Sequence, residues 1–191
     1  MKKIILILLL VIVFSCNEKR VYPLNNENVT SCELIIFAGT DKKEYPSFSI
    51  KEPKEWIPIL FNKEEEVDVP STANGKLVFH TTNGTQEVLL QKGYFCILKS
   101  NNANKKPRFF TSTTEIHDKI FELVKQYIDE TDLSSIMNYK IGLFIVNYFS
   151  YSDKEKKKKG IQLLKNYEQH ADLNDDEKTK VKNSIEFWEN N

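Results

Sequence analysis

The sequence is poor in the residue types on which many catalytic and cofactor sites depend. It has six glycines and three histidines among 191 residues, and the glycines form no loop of the kind that cradles phosphate groups. It also lacks a Gly-x-Ser-x-Gly segment, which would place a serine nucleophile on a sharp turn. Nucleotide chemistry and serine-nucleophile chemistry therefore have no support in the sequence.

The three histidines, His80, His117 and His170, are too scattered to form a metal-binding motif. The oxygen-rich segment 172–183 resembles the start of a calcium loop. However, it has Glu177 where such a loop needs glycine and Asn183 where it needs a bidentate glutamate. We interpret this segment as a helix cap, and we predict no metal site and no cofactor.

An excess of charge of one sign is also missing, because 27 Lys and Arg residues balance 27 Asp and Glu residues. Removing residues 1–15, which hold two lysines and no acid, leaves 25 basic against 27 acidic residues and a net charge of −2. No global positive field attracts nucleic acid, so no nucleic-acid partner is predicted. The segment 154–159 has five lysines that could contact anionic lipid or phosphate. A solvated helix face is the interpretation that we favour.

No apolar run is long enough to cross a membrane as a helix. The run at residues 4–14 has 11 residues, whereas a membrane-spanning helix needs about 20. Lys2 and Lys3 precede it, and the polar residues 17–20 follow it. This arrangement is typical of an export signal, so we predict that residues 1–15 are a signal peptide.

The segment Val13-Phe14-Ser15-Cys16 resembles the lipobox of bacterial lipoproteins, although Phe14 departs from the smaller residue usual at its position. The resemblance covers only the first sixteen residues. It implies that Cys16 carries fatty acyl chains such as palmitate, becomes the first mature residue and anchors the protein to a membrane of the bacterial cell envelope. Asn17 is not the aspartate that favours inner-membrane retention in such proteins, so the resemblance favours the outer membrane.

Residues 16–31 are rich in Asn and Glu without apolar periodicity, and we predict that they form a tether behind the lipid. Cys32 and Cys96 are then the only other cysteines, in a compartment that permits disulfides. We predict a disulfide between them. Two buried free thiols are the alternative.

An apolar period of two between residues 32 and 112 predicts an antiparallel β-meander. The segment 75–91 predicts a hairpin with a two-residue type I′ turn at Asn83-Gly84. The other predicted strands are 32–38, 45–50, 93–99 and 108–111, and a short helix is predicted at 53–61.

The apolar period becomes helical after residue 112, and three capping-box patterns begin at Ser112, Ser152 and Asn174. Residues 140–149 also suit a buried strand, but we favour a helix. The sequence thus predicts an α+β fold. A sheet-plus-helix unit at 32–130 precedes a small antiparallel helical bundle at 131–191, and the two share a core.

These observations predict a non-enzymatic, lipid-anchored envelope protein that acts as an interaction or accessory module for another envelope protein. Two alternatives stay open. One is a lipoprotein that captures a small ligand between sheet and helices. The other is an envelope enzyme acting on glycan or peptide through two carboxylates about 5–9.5 Å apart, and the acids considered for it are Asp41, Glu44, Asp68 and Glu87.

Overall fold

Among the residues that the computed structural model of the protein describes, seven strands form one antiparallel sheet. The structure describes residues 24, 28–38, 45–62, 64–65, 72–92, 95–98 and 107–190. The strands are β1 (Val29–Ile36), β2 (Ser47–Ile50), β3 (Glu64–Glu65), β4 (Gly75–Thr81), β5 (Gly84–Gln91), β6 (Phe95–Leu98) and β7 (Arg108–Thr111). They lie side by side in the order β2-β1-β4-β5-β6-β7-β3.

The predicted meander is confirmed, because β4, β5, β6 and β7 are neighbours in chain order. Strand β1 pairs with β4, and β2 and β3 form the two edges of the sheet. Two strand starts were predicted wrongly. Strand β2 begins at Ser47, two residues later than predicted. Strand β1 begins at Val29, three residues earlier than predicted, where Val29 pairs with Thr81 and its side chain is buried in the core. The last residues of the predicted tether therefore belong to the sheet. The signal peptide and most of the tether lie outside the described residues.

The hairpin between β4 and β5 exists, but its turn differs from the predicted one. Thr81 pairs with Gly84, so Thr82 and Asn83 are the two loop residues. Gly84 has a φ of +120°, whereas Asn83 does not adopt a positive φ. The Thr81 hydroxyl accepts a bond from the Asn83 N–H at 3.2 Å and donates to the Gly84 carbonyl oxygen at 2.8 Å. A type I′ turn needs positive φ at both loop residues, so that prediction is wrong.

Five helices complete the described fold, and residues 140–148 are helical as favoured. The helices are α1 (Pro53–Leu60), α2 (Thr114–Lys125), α3 (Ile136–Tyr148), α4 (Lys154–His170) and α5 (Asp175–Asn190). In the part of the chain that the structure describes, no helix has both the length and the apolar character needed to traverse a bilayer. The predicted α+β fold is thus confirmed.

Only the third predicted capping box forms. Its Asn174 side chain accepts from the Glu177 N–H at 3.0 Å, and the Glu177 carboxylate accepts from the Asn174 N–H at 3.1 Å. Helix α2 is capped by Thr113 and helix α4 by Asp153, each one residue after the serine predicted to start the box. A single side-chain acceptor at the N-cap satisfies the first free N–H groups of these helices.

The main core lies between one face of the sheet and the helices, and both predicted units contribute to it. Phe144 of α3 contacts the sheet at Gly75, where an added β-carbon would lie 3.5 Å from its ring. Of the residues in this core, the following are fully buried: Leu34, Ile36, Leu77, Phe79, Val88, Leu90, Cys96, Leu60, Ile116, Ile120, Val124, Ile141, Ile145, Tyr148 and Phe149. The division at residue 130 stays a prediction.

The connection from α2 to α3 is held by one buried amide, that of Asn138. Its oxygen accepts from the Asp129 N–H at 2.9 Å, and its NH₂ group donates to the carbonyl oxygens of Asp129 at 2.7 Å and Asp132 at 3.0 Å. These three hydrogen bonds offset the free-energy cost of burying the amide. The predicted units 32–130 and 131–191 are therefore joined by a turn that hydrogen bonds of the Asn138 side chain hold in place.

Helices α3 and α4 pack antiparallel at close range because glycines lie at their contact. A β-carbon at Gly142 would lie 3.1 Å from the carbonyl oxygen of Gly160. Further along, Tyr139 and Tyr167 stack with ring centroids 4.8 Å apart. A second small core joins α3, α4 and α5, formed by Val146, Leu164, Val181 and Ile185.

Replacing Tyr148 by phenylalanine is expected to raise the free energy of unfolding by about 1 kcal/mol. Tyr148 is fully buried, and within the described structure its hydroxyl has no hydrogen-bond partner. Removing a buried group without a partner removes its desolvation cost. Urea denaturation of residues 17–191 measures the change. The matched variant Tyr151→Phe alters an exposed tyrosine and is expected to change little. A loss of stability in Tyr148→Phe would contradict this expectation.

Candidate functional site

The structure keeps the three histidines apart. His80 on β4 lies 3.5 Å from the Glu33 carboxylate of β1, His117 is in the first turn of α2, and His170 ends α4. Among the described residues, no group of three His, Cys, Asp or Glu side chains is placed to hold a metal ion. The predicted lipidation residue, Cys16, lies outside the described residues.

Cys32 and Cys96 are both free and buried, so the predicted disulfide is wrong for this fold. Strands β4 and β5 separate β1 from β6. The two cysteines are also offset along the strands. Cys96 pairs with Leu90, Leu90 pairs with Gly75, and Gly75 pairs with Ile36 of β1, which is four residues beyond Cys32. Strand spacings then place the two residues about 20 Å apart, whereas disulfide-linked Cα atoms are at most about 7 Å apart.

Neither thiol is suited to nucleophilic chemistry. Burial raises the pKa of the Cys96 thiol to about 12. Burial also raises the pKa of Cys32, and the neighbouring Glu33 carboxylate adds to this effect. Both side chains are therefore protonated near neutral pH and act as small apolar groups in the core.

Both thiols of residues 17–191 are expected to resist Ellman's reagent at about pH 8 while the protein is folded, because burial excludes the reagent and keeps the thiols protonated. After unfolding in guanidinium chloride without reductant, both should react. Titrating thiols before and after unfolding checks this. The absence of reactive thiol after unfolding would show that the two cysteines are paired.

Ser112 and His117, which the sequence analysis did not pair, meet beside α2. The Ser112 hydroxyl and His117 Nε2 are 2.8 Å apart, and the His117 ring packs edge-on against Tyr148 and Phe149. Burial, and then the positive charge of Lys156, lower the pKa of His117. Across the described residues no carboxylate bonds to its other ring nitrogen, so the orienting group of a catalytic triad is missing. We interpret the pair as part of the packing.

Among the described residues, the four acids considered for a glycan- or peptide-cleaving enzyme do not provide a pair of neighbouring carboxylates. Glu87 forms an ion pair with Lys76 on the neighbouring strand, and Asp41, Glu44 and Asp68 lie outside the described residues.

Helical geometry separates the lysines of the segment 154–159 into different environments. Lys156 points inward: its Nζ lies 2.5 Å from Asp118 and 2.9 Å from Asp153. It also lies over the rings of Phe121 and Phe149. Burial alone would lower the pKa of Lys156, but the bonds to the two aspartates outweigh it and raise the pKa. This lysine joins α4 to α2.

Three other lysines of the same segment face a groove between α4 and α5, which we call the lysine groove. Its volume is about 670 Å³. Ser150 lies at one end, and α5 contributes Trp188, Glu189 and Asn190. Helix α4 contributes one continuous stripe at helical spacing, formed by Lys154, Lys157, Lys158, Ile161, Gln162 and Lys165.

The lysine groove concentrates positive charge in a chain that has no net charge overall. Four lysines and one glutamate line it, which leaves a net charge of +3. Lys165 is 2.5 Å from Glu189, and Lys157 Nζ is 5.9 Å from the centroid of the Trp188 ring. The lysines are evident in the sequence. The contact between Lys157 and Trp188 could not be predicted from it, because that contact depends on how α5 packs against α4.

Comparison of the chain with known protein families, with curated proteins and with solved structures finds no match. The structural class is therefore assigned from the fold alone, which is that of an α+β protein with an antiparallel sheet. The lysine groove is the candidate binding site.

Proposed function

We propose that this is a non-enzymatic accessory protein of the bacterial cell envelope, anchored by lipid at Cys16, that binds another envelope protein in the lysine groove. The observation that carries the binding role is the groove itself. Its volume of about 670 Å³ lies within the range of about 300–1,000 Å³ typical of ligand pockets. Its net positive charge gives it a means of selecting an anionic partner.

The chemical groups in the lysine groove suit binding better than catalysis. They are ammonium groups, side-chain amides, an indole, an isoleucine side chain, the Ser150 hydroxyl and one carboxylate. The carboxylate is paired with Lys165, and the Ser150 hydroxyl donates to the Asn147 carbonyl oxygen at 3.1 Å. The lysines line an open groove and supply positive charge for an anionic partner.

The anchoring role is supported by the lipobox-like segment that ends at Cys16 and by the polar residues that follow it. Each buried methylene of an acyl chain contributes about 0.8 kcal/mol, so two or three chains hold a protein stably on a membrane. The lipid would then keep the protein near partners at that membrane.

Replacing Cys16 by serine is expected to abolish metabolic labelling with an alkyne analogue of palmitate and to release the protein from the membrane fraction, because serine lacks the acylated thiol. Cys32→Ser is the matched control and should keep both properties, since Cys32 lies in the sheet core. Unchanged labelling of the Cys16 variant would refute the anchor.

Partner binding is tested with a photo-crosslinking residue placed in cells at Gln162, which lines the groove. The matched position is Gln169, which is exposed on the same helix and outside the groove lining. We expect a discrete protein adduct from position 162 and none from position 169. Equal adducts from both positions, or none from position 162, would overturn the binding role.

A further inference from the structure

We infer that the lysine groove holds an extended acidic segment of its partner protein, about five residues long, with an apolar side chain near its middle. This inference rests on the proposed function and specifies the chemistry of the partner. The length, the charge and the apolar floor of the groove each support it.

The length follows from helix geometry. The lysine stripe runs from Lys154 to Lys165, and at 1.5 Å per residue these eleven steps cover about 16 Å. An extended chain advances about 3.3 Å per residue, so about five residues span the stripe. A compact anion such as a single phosphate would meet only one end.

The charges favour a linear anion. Lys154 and Lys157 have no carboxylate within ion-pair distance among the described residues, whereas Lys158 is 2.7 Å from Glu155 and Lys165 is paired with Glu189. Near the N-terminus of α4, the groove thus has two ammonium groups that can bind the carboxylates of a ligand. Lysine is a point charge without the two-pronged geometry of arginine, so carboxylates spaced along a chain match it well.

The floor of the groove argues against a flat anionic surface. Ile161 and Trp188 line the groove between the two helices and are only partly exposed. A membrane surface lying across both helices would not reach them. A peptide can place one apolar side chain on this floor while its acidic side chains meet the lysines, and burying that side chain contributes favourably to binding.

The test uses residues 17–191 and two fluorescent peptides, Glu-Glu-Leu-Glu-Glu and its neutral counterpart Gln-Gln-Leu-Gln-Gln, followed by fluorescence anisotropy at about 50 mM salt. We expect the acidic peptide to bind and the neutral one not to bind. K154E/K157E should weaken binding at least about tenfold, because each substitution replaces an ammonium group that has no carboxylate partner among the described residues by a carboxylate that repels the acidic peptide. K178E/K180E reverses two exposed lysines of α5 outside the groove and should change the affinity less than about twofold.

K154Q/K157Q provides the same test without repulsion, and we expect it to weaken binding by a smaller factor than K154E/K157E does. Circular dichroism confirms that each variant is folded. Equal losses in the groove pair and the α5 pair would overturn the inference, because binding would then follow net charge alone.

Two further outcomes separate this inference from the proposed function. If position 162 crosslinks a partner in cells but the acidic peptide does not bind, the partner segment is not acidic and only the inference fails. If vesicles containing about one-third phosphatidylglycerol bind in a groove-dependent manner and the peptide does not, the groove contacts lipid. That result would also overturn the inference.

Discussion

Replacing Phe144 by alanine is expected to lower the free energy of unfolding by about 4 kcal/mol. Phe144 is 1% exposed, stacks on Tyr148 with ring centroids 5.3 Å apart and contacts the sheet at Gly75. Removing its ring leaves a cavity between α3 and the sheet that the rigid strands cannot fill. Urea denaturation of residues 17–191 measures the loss.

Phe187→Ala is the matched control, because Phe187 is 55% exposed on α5 and its loss should cost well under about 1 kcal/mol. Equal losses at the two positions would contradict the described core. The same experiment tests whether the two predicted units are independent. One transition that shifts as a whole indicates a shared core, whereas a shift confined to one of two transitions would show independent units.

Replacing Gly160 by valine is expected to lower the free energy of unfolding by about 3 kcal/mol. A β-carbon at Gly160 would lie 2.8 Å from methyl carbons of Ile145 and Val146 on α3. Helices α3 and α4 would then have to separate, which exposes the small core between α3, α4 and α5.

The control for this variant is Lys159→Val, which introduces the same β-branched residue at an exposed position of α4. It shares the small loss of helix propensity but not the collision. Thermal denaturation of both variants separates the two effects. Similar melting temperatures for both would show that the helices tolerate a larger residue at their contact.

The strands and helices could be predicted from the sequence because burial leaves a local periodic signal. The strand Arg108–Thr111 was placed at its observed bounds, and the helical period of residues 140–148 prevailed over their β propensity. The position of β1 beside β4 could not be predicted, because strand order depends on long-range pairing. The same limitation produced the wrong disulfide. Cys32 and Cys96 each looked suitable alone, and only the order of four strands shows how far apart they lie.

The candidate site was half visible in the sequence. The lysines of segment 154–159 were evident, but a helical stripe becomes a groove only when a second helix lies beside it. Trp188, which supplies the apolar floor, belongs to a helix that begins after a turn at the end of α4. Lys156 does not line the groove but joins α4 to α2 through Asp118. This role could not be predicted from the sequence for a similar reason, because it depends on how the two helices pack.

The place of β1 within the sheet has a mechanical consequence for an anchored protein. Strand β1 is the first strand in the part of the chain that the structure describes, yet it lies inside the sheet, with β2 on one side and β4 on the other. If the membrane holds the chain at Cys16, tension first meets Leu24, which is buried in the main core, and then reaches the sheet along β1. Antiparallel hydrogen bonds are perpendicular to the strands, so this pull shears the bonds to both neighbours at once instead of opening them one after another. If a partner binds in the lysine groove as we propose, the sheet would bear the load when that partner pulls on the helices.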